Sequence, residues 1–190
     1  MAKRIYAIRH AQKLQVPSDS PQELLADQPL SQEGVLQALA MGREFKDSLG
    51  LVHGFLAGMA QRTAQTAVLM AKVIEPSELV ELLPGLYHMG SDNNGKDTFY
   101  PGFEEFGLTY WQEVAVATFD YIVQTRPTRH QPKDPVLIVV STSVIIGAMI
   151  AHLRGIHTEL GIHDAVEDFY HAQQYQVFDY TSTGIVLARE

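Results

Sequence analysis

Residues Val136-Leu137-Ile138-Val139-Val140 are apolar without a break, so neither face of a strand built from them can meet water. A strand buried on both faces needs a layer of structure on each side, the condition met at the centre of a mostly parallel sheet covered by helices. Asp134-Pro135 introduces the run, Ser141-Thr142-Ser143 ends it, and residues 144–153 continue as an apolar segment of helical length. The serines, the threonine and Gly147 break what would otherwise be the longest apolar stretch, so a membrane span of roughly 20 residues is not expected there.

The remaining pattern repeats the alternation of strand and helix. Residues 4–8, 51–57 and 78–83 read as further strands. Ser31 is placed to cap a helix with Leu36, Leu39, Ala40 and Phe45 as its apolar stripe, stopping at Gly50. Residues 61–74 read as a helix with Ala64, Val68, Ala71 and Val73 facing the core, and 109–125 as another carrying Trp111, Val114, Ala115, Thr118, Phe119 and Ile122. A short helix is expected from Asp164. Residues 175–180 and 184–188, around Ser182-Thr183, read as a closing antiparallel hairpin. Residues 12–29 carry Pro17, Pro21 and Pro29 and read as loop. The fold class expected is α/β: a three-layer α/β/α sandwich around a mostly parallel, mixed sheet, formed as one domain over residues 1–190.

Charge and cysteine usage remove several functions. With 14 Lys and Arg against 22 Asp and Glu, the net charge of −8 disfavours nucleic acid and anionic membranes as partners. No cysteine is present, which excludes disulfides, thiolate zinc sites and cysteine nucleophiles. Residues 1–6 lead to Arg9-His10 before any apolar stretch forms, unlike a signal peptide, so a cytoplasmic protein is expected.

In open α/β sheets ligands bind beyond the carboxyl ends of the strands. The first strand here ends at Arg9-His10, the second at Gly58-Met59-Ala60-Gln61-Arg62, and the central one at Ser141-Thr142-Ser143. Two arginines and a histidine would meet beside two helix N-termini, where unpaired N–H groups attract anions and arginine forks match phosphate oxygens. The residues therefore point to a phosphate pocket.

Four segments carry a family resemblance. Ile5-Tyr6-Ala7-Ile8-Arg9-His10-Ala11 is similar to the Arg-His-Gly signature of the histidine phosphatase (phosphoglycerate mutase-like) superfamily. Pro29-Leu30-Ser31-Gln32-Glu33-Gly34-Val35-Leu36-Gln37-Ala38 resembles its Leu-Thr-x-x-Gly-x-x-Gln-Ala opening, and Gly58-Met59-Ala60-Gln61-Arg62-Thr63-Ala64-Gln65-Thr66-Ala67 its Ser-x-x-x-Arg-x-x-Gln-Thr-Ala segment. Residues 136–143 stand where the family has a strand ending in Ser-His-Gly.

The resemblance implies that His10 is the nucleophile that becomes phosphorylated and that Arg9 and Arg62 hold the phosphoryl oxygens. It also exposes departures. Thr142 occupies the place of the family's second histidine, so it would donate to the phosphate through an uncharged hydroxyl. His88 stands where many members keep a glutamate acid, and takes the general-acid role in this reading. Val16 replaces a phosphate-contacting asparagine of some members. Residues 84–108, with Tyr87, Phe99, Tyr100, Phe103 and Phe106, would cover the site as a lid.

The function expected is a metal-independent phosphomonoester hydrolase working through phosphorylated His10, slow or narrow in substrate and without cofactor. The alternative is a catalytically impaired pseudophosphatase that binds a phosphorylated ligand or protein partner. In either case the partner is a small phosphorylated molecule or a phosphoprotein. Asp164, Asp168 and His171 share a helical face, but a solvated charged face accounts for them and no metal site is assigned.

Overall fold

The structure, a computed structural model, describes residues 3–21, 24, 27–49, 51–75, 79–86, 107–125, 135–172, 174–181 and 184–188. Strand β1 (Lys3–Arg9) is followed by helix α1 (Gln32–Leu49), β2 (Val52–Ala57), α2 (Gln61–Ile74) and β3 (Val80–Leu82). Then come α3 (Leu108–Thr125), β4 (Val136–Ser141), α4 (Ser143–Leu153), α5 (Glu159–Ala172), β5 (Tyr175–Thr181) and β6 (Gly184–Leu187). The strands form one sheet in the order β3-β2-β4-β1-β5-β6. β3, β2, β4 and β1 run parallel, and β5 and β6 add an antiparallel edge.

The all-apolar strand is β4, and it lies between β1 and β2. Its alternate residues go to opposite layers. Leu137 and Val139 join Ile5 and Ala7 under Phe119, Ile146 and Phe169 of α3, α4 and α5. Ile138 and Val140 join Ile8 and Phe55 under Phe45 of α1 and Met70 of α2. The three-layer α/β/α sandwich with a mixed sheet is therefore the fold, for the physical reason the central run suggested.

In two helices the buried face coincides only in part with the expected apolar stripe: Phe45 and Ala71 are buried as expected, and the rest of each face is rotated away. In α1 the buried positions are Gly34, Ala38, Met41, Gly42 and Phe45, while Leu36 is 56% exposed. A Cβ on Gly42 would lie 3.1 Å from the Val73 Cβ and 3.2 Å from the Met70 Cα, so this glycine lets α1 and α2 pack backbone to backbone. In α2 the buried face is Arg62, Thr63, Thr66, Ala67, Met70, Ala71 and Ile74, and Val68 is exposed. A stripe read from apolar residues alone passes over the glycines and threonines that form these seams. Helix α5 also begins earlier than Asp164, at Glu159. Gly147 admits it, because a Cβ there would come within 2.6 Å of the Val166 Cα. The proposed stop at Gly50 falls on a residue outside those described, although α1 does end at Leu49. Among the described residues no helix is long and apolar enough to cross a membrane.

Candidate active site

The parallel register brings three chain segments out of the sheet side by side. Arg9 pairs with Ser141 and Ala57 with Val140. The next residues continue the ladder: His10 N–H donates to the Ser141 carbonyl (3.0 Å) and Gly58 N–H to the Val140 carbonyl (3.0 Å). Because β4 lies between β1 and β2, Thr142 leaves the sheet between His10 and Gly58.

The imidazole of His10 is held in one tautomer. Nδ1 lies 2.8 Å from the Ala11 carbonyl, which can only accept, so Nδ1 carries the proton. Nε2 lies 3.3 Å from Arg62 Nε, which can only donate, so Nε2 presents its lone pair. The charge state agrees with this tautomer. Burial, opposed by the Ala11 carbonyl and reinforced by the charges of Arg62, Arg9 and Lys13, lowers the His10 pKa from 6.5 to about 3. The ring is a neutral base near neutral pH.

Arg62 is 3% exposed and belongs to the first turn of α2. Its Nη1 is 3.8 Å from Asp27 Oδ1, and the same oxygen accepts the backbone N–H of Gln61 at 2.8 Å. Ala60, the residue before α2, offers no side-chain cap, so Asp27 reaches across from the loop between β1 and α1 to serve both the helix end and the arginine.

Arg9 emerges from the end of β1 towards α5. Its Nη1 donates to the Tyr170 carbonyl (2.7 Å), and its guanidinium carbon sits 4.4 Å above the Tyr170 ring centroid. Thus Arg62 is in direct contact with His10, whereas Arg9 acts on it through its charge and is anchored on the last turns of α5.

Thr142 precedes α4 with extended backbone angles (φ −90°, ψ 161°) and makes no side-chain cap. It is 5% exposed, and its Oγ1 has no hydrogen-bond partner among the described residues. Burying a hydroxyl without a partner costs about 1–3 kcal/mol. The neighbouring Ser141 hydroxyl is spent on the Leu86 carbonyl at 2.8 Å. His88 and most of the 84–108 lid lie outside the described residues.

Much of the motif chemistry holds the backbone around His10. Ala11 N–H donates to Thr66 Oγ1 (3.1 Å), whose own hydroxyl donates to the Arg62 carbonyl (2.7 Å). Gln12 N–H donates to Gln37 Oε1 (3.0 Å) and Leu30 N–H to Gln65 Oε1 (2.7 Å). Ser31 Oγ caps α1 by accepting the Gly34 N–H at 2.9 Å. Asp27 reaches Arg62 from a proline-rich loop with no periodic pattern, and only the fold brings it there. The polar residues of the C-terminal third have other duties. Glu159 accepts from Leu108 N–H and from both the N–H and hydroxyl of Thr109, bonds that hold its carboxyl below the usual range and cap α3. His171 lies 3.3 Å from Glu167. Among the described residues no three His, Asp or Glu side chains converge as a metal site would require.

A sequence profile of the histidine phosphatase superfamily (branch 1) matches residues 5–187. The chain belongs to this superfamily. Solved structures with the same fold include an Entamoeba histolytica phosphoserine phosphatase mutant in complex with phosphoserine, at 15% identity and TM-score 0.67 over 98% of this chain and 95% of that one. A mycobacterial glucosyl-3-phosphoglycerate phosphatase matches at 17% identity and TM-score 0.64, over 94% and 90% of the two chains. The alpha-ribazole phosphatase of Shigella flexneri matches at 18% identity and TM-score 0.65, over 97% and 94%. No curated protein sequence matches the chain. The matched segment of the histidine phosphatase superfamily model spans Arg9, His10, Arg62 and Thr142.

Proposed function

We propose that this histidine phosphatase superfamily member is a metal-independent phosphomonoester hydrolase in which His10 is transiently phosphorylated. The observation that carries the reading is the single tautomer of His10: Nδ1–H tied to a carbonyl, Nε2 unprotonated beside a buried arginine. In the first step the Nε2 lone pair attacks phosphorus, the N–P bond forms and the ester P–O bond breaks. The electron pair leaves with the ester oxygen, which takes a proton from water or an acid. In the second step water attacks phosphorus, the N–P bond breaks, phosphate leaves and Nε2 regains its lone pair. Arg62 and Arg9 would stabilise charge on the phosphoryl oxygens in both steps, with Thr142 Oγ1 as an uncharged donor.

An uncharged residue at position 142 favours slow turnover, or substrates whose leaving groups need little protonation. It also supports a second reading, a pseudophosphatase that binds a phosphorylated small molecule or protein without hydrolysing it. Hydrolysis of an activated aryl phosphate in excess chelator separates the two. The first reading expects turnover that survives chelation and vanishes in His10→Ala. Phosphate binding without any turnover would support the second. Activity lost to chelator and restored by a divalent ion would contradict the phosphohistidine route.

A further inference from the structure

Ile5 and Ala7 of β1 face α3, α4 and α5, and Arg9, two residues further on, reaches the same layer. His10 turns to the other side and meets Arg62 of α2. The two arginines are therefore supported differently. Arg62 has the Asp27 carboxylate beside it, whereas among the described residues no carboxylate pairs with Arg9. One residue of α5 holds the Arg9 guanidinium instead. Nη1 donates to the Tyr170 carbonyl at 2.7 Å, and the guanidinium carbon lies 4.4 Å from the centroid of the Tyr170 ring. The backbone N–H of Arg9 donates to the Gln174 carbonyl (2.9 Å), so the main chain is fixed to the segment after α5 as well. The Tyr170 carbonyl belongs to the last turn of α5, where carbonyls lack intrahelical partners and the helix dipole is negative. A cation is favoured there whatever side chain residue 170 carries. The ring is the part that only an aromatic residue supplies, and it does little for the core: Tyr170 is 49% exposed, whereas its neighbour Phe169 is 3% exposed.

A carbonyl and a ring hold a cation without neutralising it, whereas a carboxylate in the same place would compete with an anionic ligand. A long side chain leaving the end of a strand otherwise samples several rotamers, and an anion that binds it has to stop that motion at a cost in affinity. We infer that Tyr170 is a positioning residue for Arg9: its ring, together with its own carbonyl, presets the guanidinium for a phosphoryl group and leaves the charge available. This rests on the proposed reading of the pocket as a phosphate site. It also makes α5, none of whose residues belongs to the four motif segments, part of the support of that site.

Calorimetric titration of inorganic phosphate into the wild type, Tyr170→Phe, Tyr170→Leu, Arg9→Met, Arg62→Met and the Arg9→Met/Tyr170→Leu double variant tests the assignment. Every variant keeps the carbonyl of residue 170, so the change at Tyr170 removes the share of the ring alone. Tyr170→Leu should weaken phosphate binding about two- to five-fold, the scale of an exposed cation–π contact, and Tyr170→Phe should bind like the wild type. In the Arg9→Met background Tyr170→Leu should change nothing further, a coupling that a general loosening of α5 would not produce. The inference fails if Tyr170→Leu binds phosphate like the wild type, if its effect persists without Arg9, or if Tyr170→Phe is weakened as much as Tyr170→Leu. It also fails if Tyr170→Leu binds more tightly, since the ring would then be keeping Arg9 from the ligand. In each of these cases weaker binding by Arg62→Met leaves the phosphate site standing. No binding of millimolar phosphate by the folded wild type removes the phosphate site, and this inference with it. Tyr170→Met, a second non-aromatic replacement, takes the place of Tyr170→Leu in the same test should the leucine variant have a lowered thermal midpoint.

Discussion

The neutral, partly buried state of His10 predicts a specific acid sensitivity in the ligand-free protein. The pKa of His10 falls from 6.5 to about 3 on folding. Between those values the unfolded chain binds a proton at this position that the native protein does not, so stability falls as pH falls. The loss begins as pH drops through 6.5 and is complete near 3. From about pH 7 to about pH 5 the linkage relation gives about 2 kcal/mol from this one group, as an upper figure. For a chain of this size that corresponds to a decrease of roughly 4–8 °C in thermal midpoint. His10→Gln keeps an acceptor for Arg62 and cannot titrate, so it should lack this component. The assay is differential scanning calorimetry of both proteins across that pH range without phosphate, taking the difference of the two profiles. Parallel profiles would refute the reasoning, because they would mean that His10 protonates as easily in the fold as out of it.

Three other substitutions test the surrounding frame. Thr66→Val leaves the buried Ala11 N–H without an acceptor, which should cost about 1–3 kcal/mol in chemical denaturation and weaken phosphate binding through the loosened loop. Gly34→Ala places a Cβ against the Gln12 carbonyl oxygen, so a lowered thermal midpoint and weaker phosphate binding should appear together, at a cost of about 1–3 kcal/mol. Thr142→His should raise single-turnover phosphoryl transfer from an activated ester by about 10²–10³, less any overpacking at this buried position, while Ser143→His should not. No acceleration in a folded Thr142→His protein would mean that position 142 does not limit the reaction.

The sequence made some parts of this site legible and hid others for physical reasons. The apolar run in β4 and the strand ends at Arg9-His10 and Arg62 were readable because burial and strand polarity leave a direct pattern. Helix α2 was readable from end to end, but of its buried face only Ala71 was, since Thr63, Thr66 and Arg62 turn inwards to bond with backbone and with His10. The α1 seam was missed because its closest contact is made by Gly42, which has no side chain to enter an apolar pattern. Gln37 and Gln65 were visible as motif letters, but their role as acceptors for the Gln12 and Leu30 N–H groups exists only once loop and helices are assembled. Asp27 had no local signal, because a loop side chain is placed by the elements it crosses. Glu159 looked like one acid in a polar stretch, and its function is to cap a helix that begins 51 residues earlier in the chain.

In the proposed reaction His10 Nε2 takes the phosphoryl group. The direct measurement is rapid quenching of the protein with an activated phosphomonoester in the presence of chelator, followed by mass spectrometry of the intact chain and its peptides. One acid-labile, base-stable phosphoryl group per chain is expected, located on His10 and absent in His10→Ala. Hydrolysis that proceeds with His10 unmodified at every quench time, or that continues unchanged in His10→Ala, would contradict it.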